Sequence, residues 1–265
     1  MHHNMNDWIS FCFVIVAFLS ITSLSFNLEE RLPLIKHGKI GSLFGLSVAE
    51  HHILSNASTL NDAVLLIGAP TADADTYHSK DSYKPGALYK CGISSDPYDC
   101  QSVVIDTSVN TLEVNNSNQW LGVTVKEEKP GGRVVVCAHR YTIRGGGGRR
   151  GIIWEAEFGR CYVFKNDLTP VDQLHVWTPC IGKTDPGGSY SQAFYGYCQA
   201  GTSVAFANNK EEDLIFGMPG ALHWTGALKS YEFADDKFFP AILWSNSEES
   251  ETTIHQNSYL GLVFG

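Results

Sequence analysis

Three kinds of apolar segment follow one another along the chain and recur in the same order. The first sets glycine beside an aromatic or apolar residue and then alternates: Leu43-Phe44-Gly45-Leu46-Ser47-Val48, Trp120-Leu121-Gly122-Val123-Thr124-Val125, Gln199-Ala200-Gly201-Thr202-Ser203-Val204 and Tyr259-Leu260-Gly261-Leu262-Val263. The second is an unbroken apolar run ending in small or turn-forming residues: Val64-Leu65-Leu66-Ile67-Gly68-Ala69-Pro70, Val134-Val135-Val136-Cys137-Ala138-His139 and Leu214-Ile215-Phe216-Gly217-Met218-Pro219. The third opens on glycine and alternates again, at Gly86-Ala87-Leu88-Tyr89-Lys90, Gly159-Arg160-Cys161-Tyr162-Val163-Phe164 and Gly226-Ala227-Leu228-Lys229-Ser230-Tyr231. Alternation predicts strands with one covered face, and an unbroken apolar run predicts a strand covered on both.

Gly45, Gly122, Gly201 and Gly261 are separated by 77, 79 and 60 residues. Each step exceeds the short solenoid periods and suits one four-stranded sheet with long loops. The fold class predicted is all-β, a beta-propeller with three blades and the start of a fourth. The repeat places blade 1 at about 38–106, blade 2 at about 115–178, blade 3 at about 190–245 and the start of blade 4 from about 257. In a propeller each blade is sandwiched between neighbours, which gives the middle strands their two covered faces. A stack of blades must close on itself or leave an apolar face and a strand edge open. Because this stack cannot close, the chain is expected to be part of a longer protein. Phe26 to Leu32 is a candidate outer strand for the last blade of that ring.

Composition changes the picture in two ways. Of 265 residues 43% are hydrophobic and 18% charged, with 25 Gly and 10 Pro, enough for a sizeable core and many turns. The formal charge of -9 leaves no basic stripe, so nucleic acid is not an expected partner and a protein, sugar or cation is. Residues 1–25 form the second departure: Trp8 through Leu24 is uncharged and apolar, Ser23 and Ser25 offer a cleavage point, and the pattern is that of a secretory signal peptide. The segment Met1 to Asp7 ahead of it lacks the usual Lys or Arg.

Export sets the chemistry of the cysteines. Removing Cys12 with the signal leaves Cys91, Cys100, Cys137, Cys161, Cys180 and Cys198, and an even set in a secreted chain implies disulfides. Of the 15 possible pairings, the sequential one (91 with 100, 137 with 161, 180 with 198) is the least demanding topologically. The spacings required for zinc are absent. Asn56-Ala57-Ser58 and Asn115-Asn116-Ser117 are glycosylation sequons, making Asn56 and Asn115 candidate modified residues.

These segments resemble the integrin alpha subunits, whose seven-bladed head is built from FG-GAP repeats: Phe44-Gly45 and Gly68-Ala69-Pro70 spell the repeat name. The resemblance runs from Phe26-Asn27-Leu28, which looks like the mature amino terminus of the family, to Ser258-Tyr259-Leu260-Gly261. Pro130 to Tyr141 and Phe158 to Val163 resemble the laminin-binding group. The resemblance implies a cell-adhesion receptor that pairs with an integrin beta subunit and binds extracellular matrix, with laminin the expected ligand. Its place would be the extracellular face of the plasma membrane, held there by a span further along a full-length type I protein.

Site residues follow from the same resemblance. In the family an aromatic cage on the upper face receives a basic side chain of the beta subunit, a cation–π arrangement, and Trp120 matches one cage position. Its strand position alone would fit a core tryptophan as well. The other alignable cage positions, near Leu46 and Leu262, are aliphatic here. Family members that read Arg-Gly-Asp clamp the arginine with acids, in paired hydrogen bonds. Here Gln256 and Asn257 are neutral and Asp185 is the one plausible acid before Cys198. That half-formed clamp argues against Arg-Gly-Asp and turns attention to the loop expected at roughly Glu232 to Asn257. Calcium is expected only in later blades, beyond Gly265. Asp73-Ala74-Asp75 lacks the third acid and the glycine turn of a calcium loop, so no metal and no other cofactor is expected in this stretch.

Enzyme chemistry finds little to stand on. Gly145-Gly146-Gly147-Gly148-Arg149-Arg150 lacks the Gly-Lys-Ser/Thr ending of a phosphate loop and reads as an insertion between strands. His51-His52 and His139-Arg140 have no carboxylate or nucleophile at a spacing that builds a triad or metal site. The competing readings are a secreted FG-GAP propeller enzyme, which would need a separate catalytic domain, and a soluble binding module.

Overall fold

The computed structural model describes residues 33–55, 59–73, 84–105, 114–145, 154–171, 176–180, 195–207, 214–234, 237–244 and 262. Along 55, 59–62, 176–177, 232–234 and 237–244 it describes the backbone alone. From Ile35 onward the chain is one compact unit. In chain order the strands are β1 (Ser47–Ser55), β2 (Thr59–Ala69), β3 (Ala87–Gly92), β4 (Gln101–Val103), β5 (Val114–Asn115), β6 (Thr124–Glu127), β7 (Val134–Ala138) and β8 (Thr142–Gly145). They continue with β9 (Trp154–Glu157), β10 (Arg160–Phe164), β11 (Val176–Trp177), β12 (Ser203–Phe206), β13 (Leu214–Met218), β14 (Ala227–Ala234) and β15 (Lys237–Trp244).

Three four-stranded antiparallel sheets result, ordered β1-β2-β3-β4, β6-β7-β10-β11 and β12-β13-β14-β15. The fold is the partial β-propeller that the repeat predicts. The middle strands carry the reason for their apolar runs. In β7 every side chain is buried, and successive residues go to opposite sides: Val134 and Val136 join Leu66 and Leu88 of the first sheet, while Val135 and Cys137 join Val204, Leu214 and Phe216 of the third. Burying each such valine contributes roughly 1.5–3 kcal/mol, so the stacking of blades supplies much of the core.

The recurring glycines fix how one blade meets the next. Gly45, Gly122 and Gly201 have φ of +91°, +88° and +87°, and the residue two before each, Leu43, Trp120 or Gln199, is also left-handed. The N–H of each glycine donates to the second strand of its own blade, at Gly68, Cys137 and Gly217 (3.0–3.1 Å). Between blades, Leu121 donates its N–H to the Pro85 carbonyl (2.9 Å) and Ala200 donates to that of Phe158 (3.0 Å). Nearer the inner strands, Ser47 Oγ donates to the Gly122 carbonyl (2.7 Å) and Thr124 Oγ1 to that of Gly201 (3.0 Å). A Cβ at Gly122 would lie 2.5 Å from the Ala87 oxygen, and one at Gly159 would lie 2.2 Å from that of Ala200. Only a residue without a side chain allows blades to approach this closely.

Disulfides join Cys91 to Cys100, Cys137 to Cys161 and Cys180 to Cys198. The second links opposite positions of β7 and β10, directly beneath Gly201, where a Cβ would fall 2.4 Å from Cys161 Sγ. The loop closed by the first seats Lys36, whose Nζ donates to the carbonyls of Ser94 and Asp96, Ser94 Oγ and Asp99 Oδ1 at 2.7–3.4 Å. That ammonium, then Ser94, holds the Asp99 carboxyl below its ordinary range.

Two elements differ from the sequence reading. Residues 232–234 and 237–244, expected to begin the loop after the third blade, instead pair as the end of β14 and the whole of β15. The sequence pattern also gave no sign of a small sheet, β5-β8-β9, that caps the second blade and pairs Val114 with Ile143. Gly145 ends β8, and 146–153 lies outside the described residues.

Candidate functional site

The turn before each inner strand and the turn after each middle strand come to the same end of the sheets, and there Trp120, Tyr197 and Trp224 lie. Trp120 is half-buried, outside the core clusters, and sits in a left-handed turn with φ +65°. Its Nε1–H donates to Asn118 Oδ1 at 3.1 Å, which fixes the plane of the indole. His139, in the turn after β7, meets it edge-on at 5.5 Å between ring centroids, and the Arg140 guanidinium lies 5.9 Å from the centroid. Burial, and then the charge of Arg140, lower the His139 pKa from 6.5 to about 4, so its imidazole is neutral at physiological pH.

A polar chain runs from this group toward the third blade. Arg140 Nη2 donates to Glu157 Oε1 at 3.4 Å, and Gln199 Nε2 donates to Glu157 Oε2 at 3.0 Å. Beyond Gln199, Tyr197 is exposed and stacks on Trp224 at 6.4 Å, on a turn in which Leu222, His223 and Trp224 are all left-handed. Three such residues in succession are costly, on the order of 1–2 kcal/mol each, and close packing of Gly220 under the Tyr197 carbonyl holds them. The result is a ledge of two aromatic pairs joined by an arginine, a carboxylate and an amide.

The inner strands line an open cavity of about 340 Å³, with Leu46, Val48, Val125, Lys126, Val204 and Leu262 among its walls. Leu46 and Leu262 are 52% and 49% exposed. Asn115 lies in β5, half-buried, with Oδ1 accepting the Ser117 N–H at 3.2 Å. Asn56, Asp185, Gln256 and Asn257 lie outside the described residues.

At the opposite end lies a group that sequence spacing missed. His51 is fully buried, with Nδ1 3.0 Å from Glu127 Oε1 and Nε2 2.7 Å from the Asn166 carbonyl oxygen. Asn166 in turn donates Nδ2 to the His52 carbonyl and accepts the Leu54 N–H. The partners stand 76 and 115 residues from the histidine, so nothing local in the sequence signals them. The group spans two blades and contains no nucleophile.

Asp73 is held by the Lys39 ammonium, which lowers its pKa, so a cation on the 73–75 stretch would have to displace a lysine. Among the described residues no cluster of three His, Cys, Asp or Glu side chains could hold a metal ion, and no helix is long and apolar enough to cross a membrane.

Fold and site together define a disulfide-stapled FG-GAP-type propeller segment with a contact ledge at one end. No protein-family model matches the chain. Individual proteins do: it is 35% identical to human integrin alpha-7 over 264 residues, 95% of this chain and 21% of that protein. It is 34% identical to chicken integrin alpha-6 over 250 residues (89% and 22%) and to mouse integrin alpha-3 over 226 residues (80% and 19%). Over this region the chain belongs with the integrin alpha subunits, and it spans about a fifth of the length of those relatives.

Proposed function

We propose that the chain is the ligand-facing part of a non-enzymatic adhesion receptor. In this reading the propeller pairs with an integrin beta subunit through the ledge around Trp120, and the pair binds an extracellular matrix protein of the laminin type. Residues 1–25 direct export, the complete protein sits at the cell surface and signals across the membrane, and calcium belongs to later blades. The observation that carries this reading is the similarity to integrin alpha-7, alpha-6 and alpha-3 across 80–95% of the chain. The half-exposed Trp120, fixed by Asn118 at the loop end of the sheets, adds a local reason to place the subunit contact there. Asn56 and Asn115 carry glycans in this proposal, and the neutral Gln256 and Asn257, with Asp185 alone for acid, turn the ligand site away from Arg-Gly-Asp.

The test is binding of the completed alpha ectodomain, co-expressed with a beta subunit, to immobilised laminin in manganese buffer with an Arg-Gly-Asp peptide as competitor. Saturable, chelator-sensitive binding untouched by the peptide is expected. Binding blocked by the peptide would overturn the laminin-type reading, and failure to pair with any beta subunit would overturn the receptor reading itself.

A further inference from the structure

The face of Trp120 is not vacant. Arg140 holds a guanidinium 5.9 Å from the indole centroid, within the range where the ring quadrupole attracts a cation. The arginine is steered there from two sides: its backbone N–H donates to the Gln119 carbonyl at 3.1 Å, and its Nη2 donates to Glu157 Oε1. The indole cannot turn aside, because Asn118 holds its Nε1–H and His139 closes on it edge-on. The side chains of Arg140 and Glu157 are 35% and 24% exposed, so the pair can be reached from solvent.

We propose that Arg140 is a resident competitor for the Trp120 face, occupying in the free chain the seat that a basic side chain of the paired subunit takes on assembly, with Glu157 steering it onto the ring. This rests on the reading of Trp120 as a subunit contact. Two cations on one indole face repel each other at close range, so the incoming one requires Arg140 to move. Glu157 already accepts from Arg140 on Oε1 and from Gln199 on Oε2, so the acid keeps the guanidinium beside the ring. The chain therefore pairs less tightly than Trp120 alone would allow. Arg140 and Glu157 then act as specificity residues, favouring a partner that brings a cation together with enough contact elsewhere to move the arginine.

The experiment is a double-mutant cycle on the completed alpha ectodomain, titrated with a soluble integrin beta ectodomain, with secreted yield and melting temperature confirming that each variant folds. Arg140→Gln should tighten pairing about threefold, the scale of an exposed cation–π contact, and Arg140→Lys should behave as the parent. In a Trp120→Leu background the gain from Arg140→Gln should vanish. An Arg140→Gln variant no tighter than the parent would overturn the proposal. So would an equal gain in the Trp120→Leu background, because Arg140 would then act through long-range charge. A Trp120→Leu variant that pairs as tightly as the parent would instead remove the subunit-contact reading beneath it.

Discussion

Single residues set the tolerances of this fold, and glycine shows how the cost divides. Gly41 and Gly122 both have a left-handed backbone, at φ +80° and +88°, but a Cβ at Gly41 meets nothing within 4 Å whereas one at Gly122 meets the Ala87 oxygen at 2.5 Å. Gly41→Ala should cost about 1 kcal/mol, the conformational penalty alone. Gly122→Ala should cost several times more, because it also forces two blades apart. Urea midpoints of the two variants measure the difference. His139 gives a second expectation. Its folded pKa of about 4 lies below the ordinary 6.5, so the unfolded chain takes up the proton first as pH falls. The stability present above pH 6.5 is therefore lost between 6.5 and about 4. The full gap corresponds to ~3 kcal/mol, and partial exposure reduces it to about 2. Melting temperature followed across that window should fall in the parent and stay flatter in His139→Phe. At the other end, His51→Leu should cost roughly 1–3 kcal/mol, because it takes a hydrogen bond from the Asn166 carbonyl and one from Glu127, which keeps the His52 and Gly131 N–H donors.

Among the elements, the ones legible in the sequence were those whose signal is local. The apolar run Val134 to Ala138 announces a strand with two covered faces, and the order of the cysteines matches the bonds that form. The pairing of β14 with β15 beyond Tyr231 departs from the expected loop because the charges of Glu232, Asp235, Asp236 and Lys237 mask its strand pattern. The small sheet β5-β8-β9 and the ledge were illegible for another reason. Val114 pairs with Ile143, and Glu157 joins Arg140 to Gln199, across stretches of chain that no local pattern links. The disulfide between β7 and β10 yields a prediction on this scale. Cys137→Ser with Cys161→Ser should lose on the order of 3 kcal/mol for a closed loop of this size. The third sheet should loosen with the second, since Gly201 rests on the bridge. Hydrogen exchange across β12 and β13 would register that spread, and protection lost only in β7 and β10 would contradict it.

For the molecule as a whole, the stacked blades form a series in which each covers the next, and the cores between them are separate clusters that share only the strands of the middle sheet. Such a series makes stability a property of neighbours. The hydroxyl contacts between inner strands give the series a direction. Ser47 reaches forward to Gly122 and Thr124 reaches forward to Gly201, so the donor always belongs to the blade made earlier. During synthesis the ribosome releases the donor before its acceptor exists. Each blade thus waits with a hook for the one that follows, and the stack is built to be wound up from its amino-terminal side.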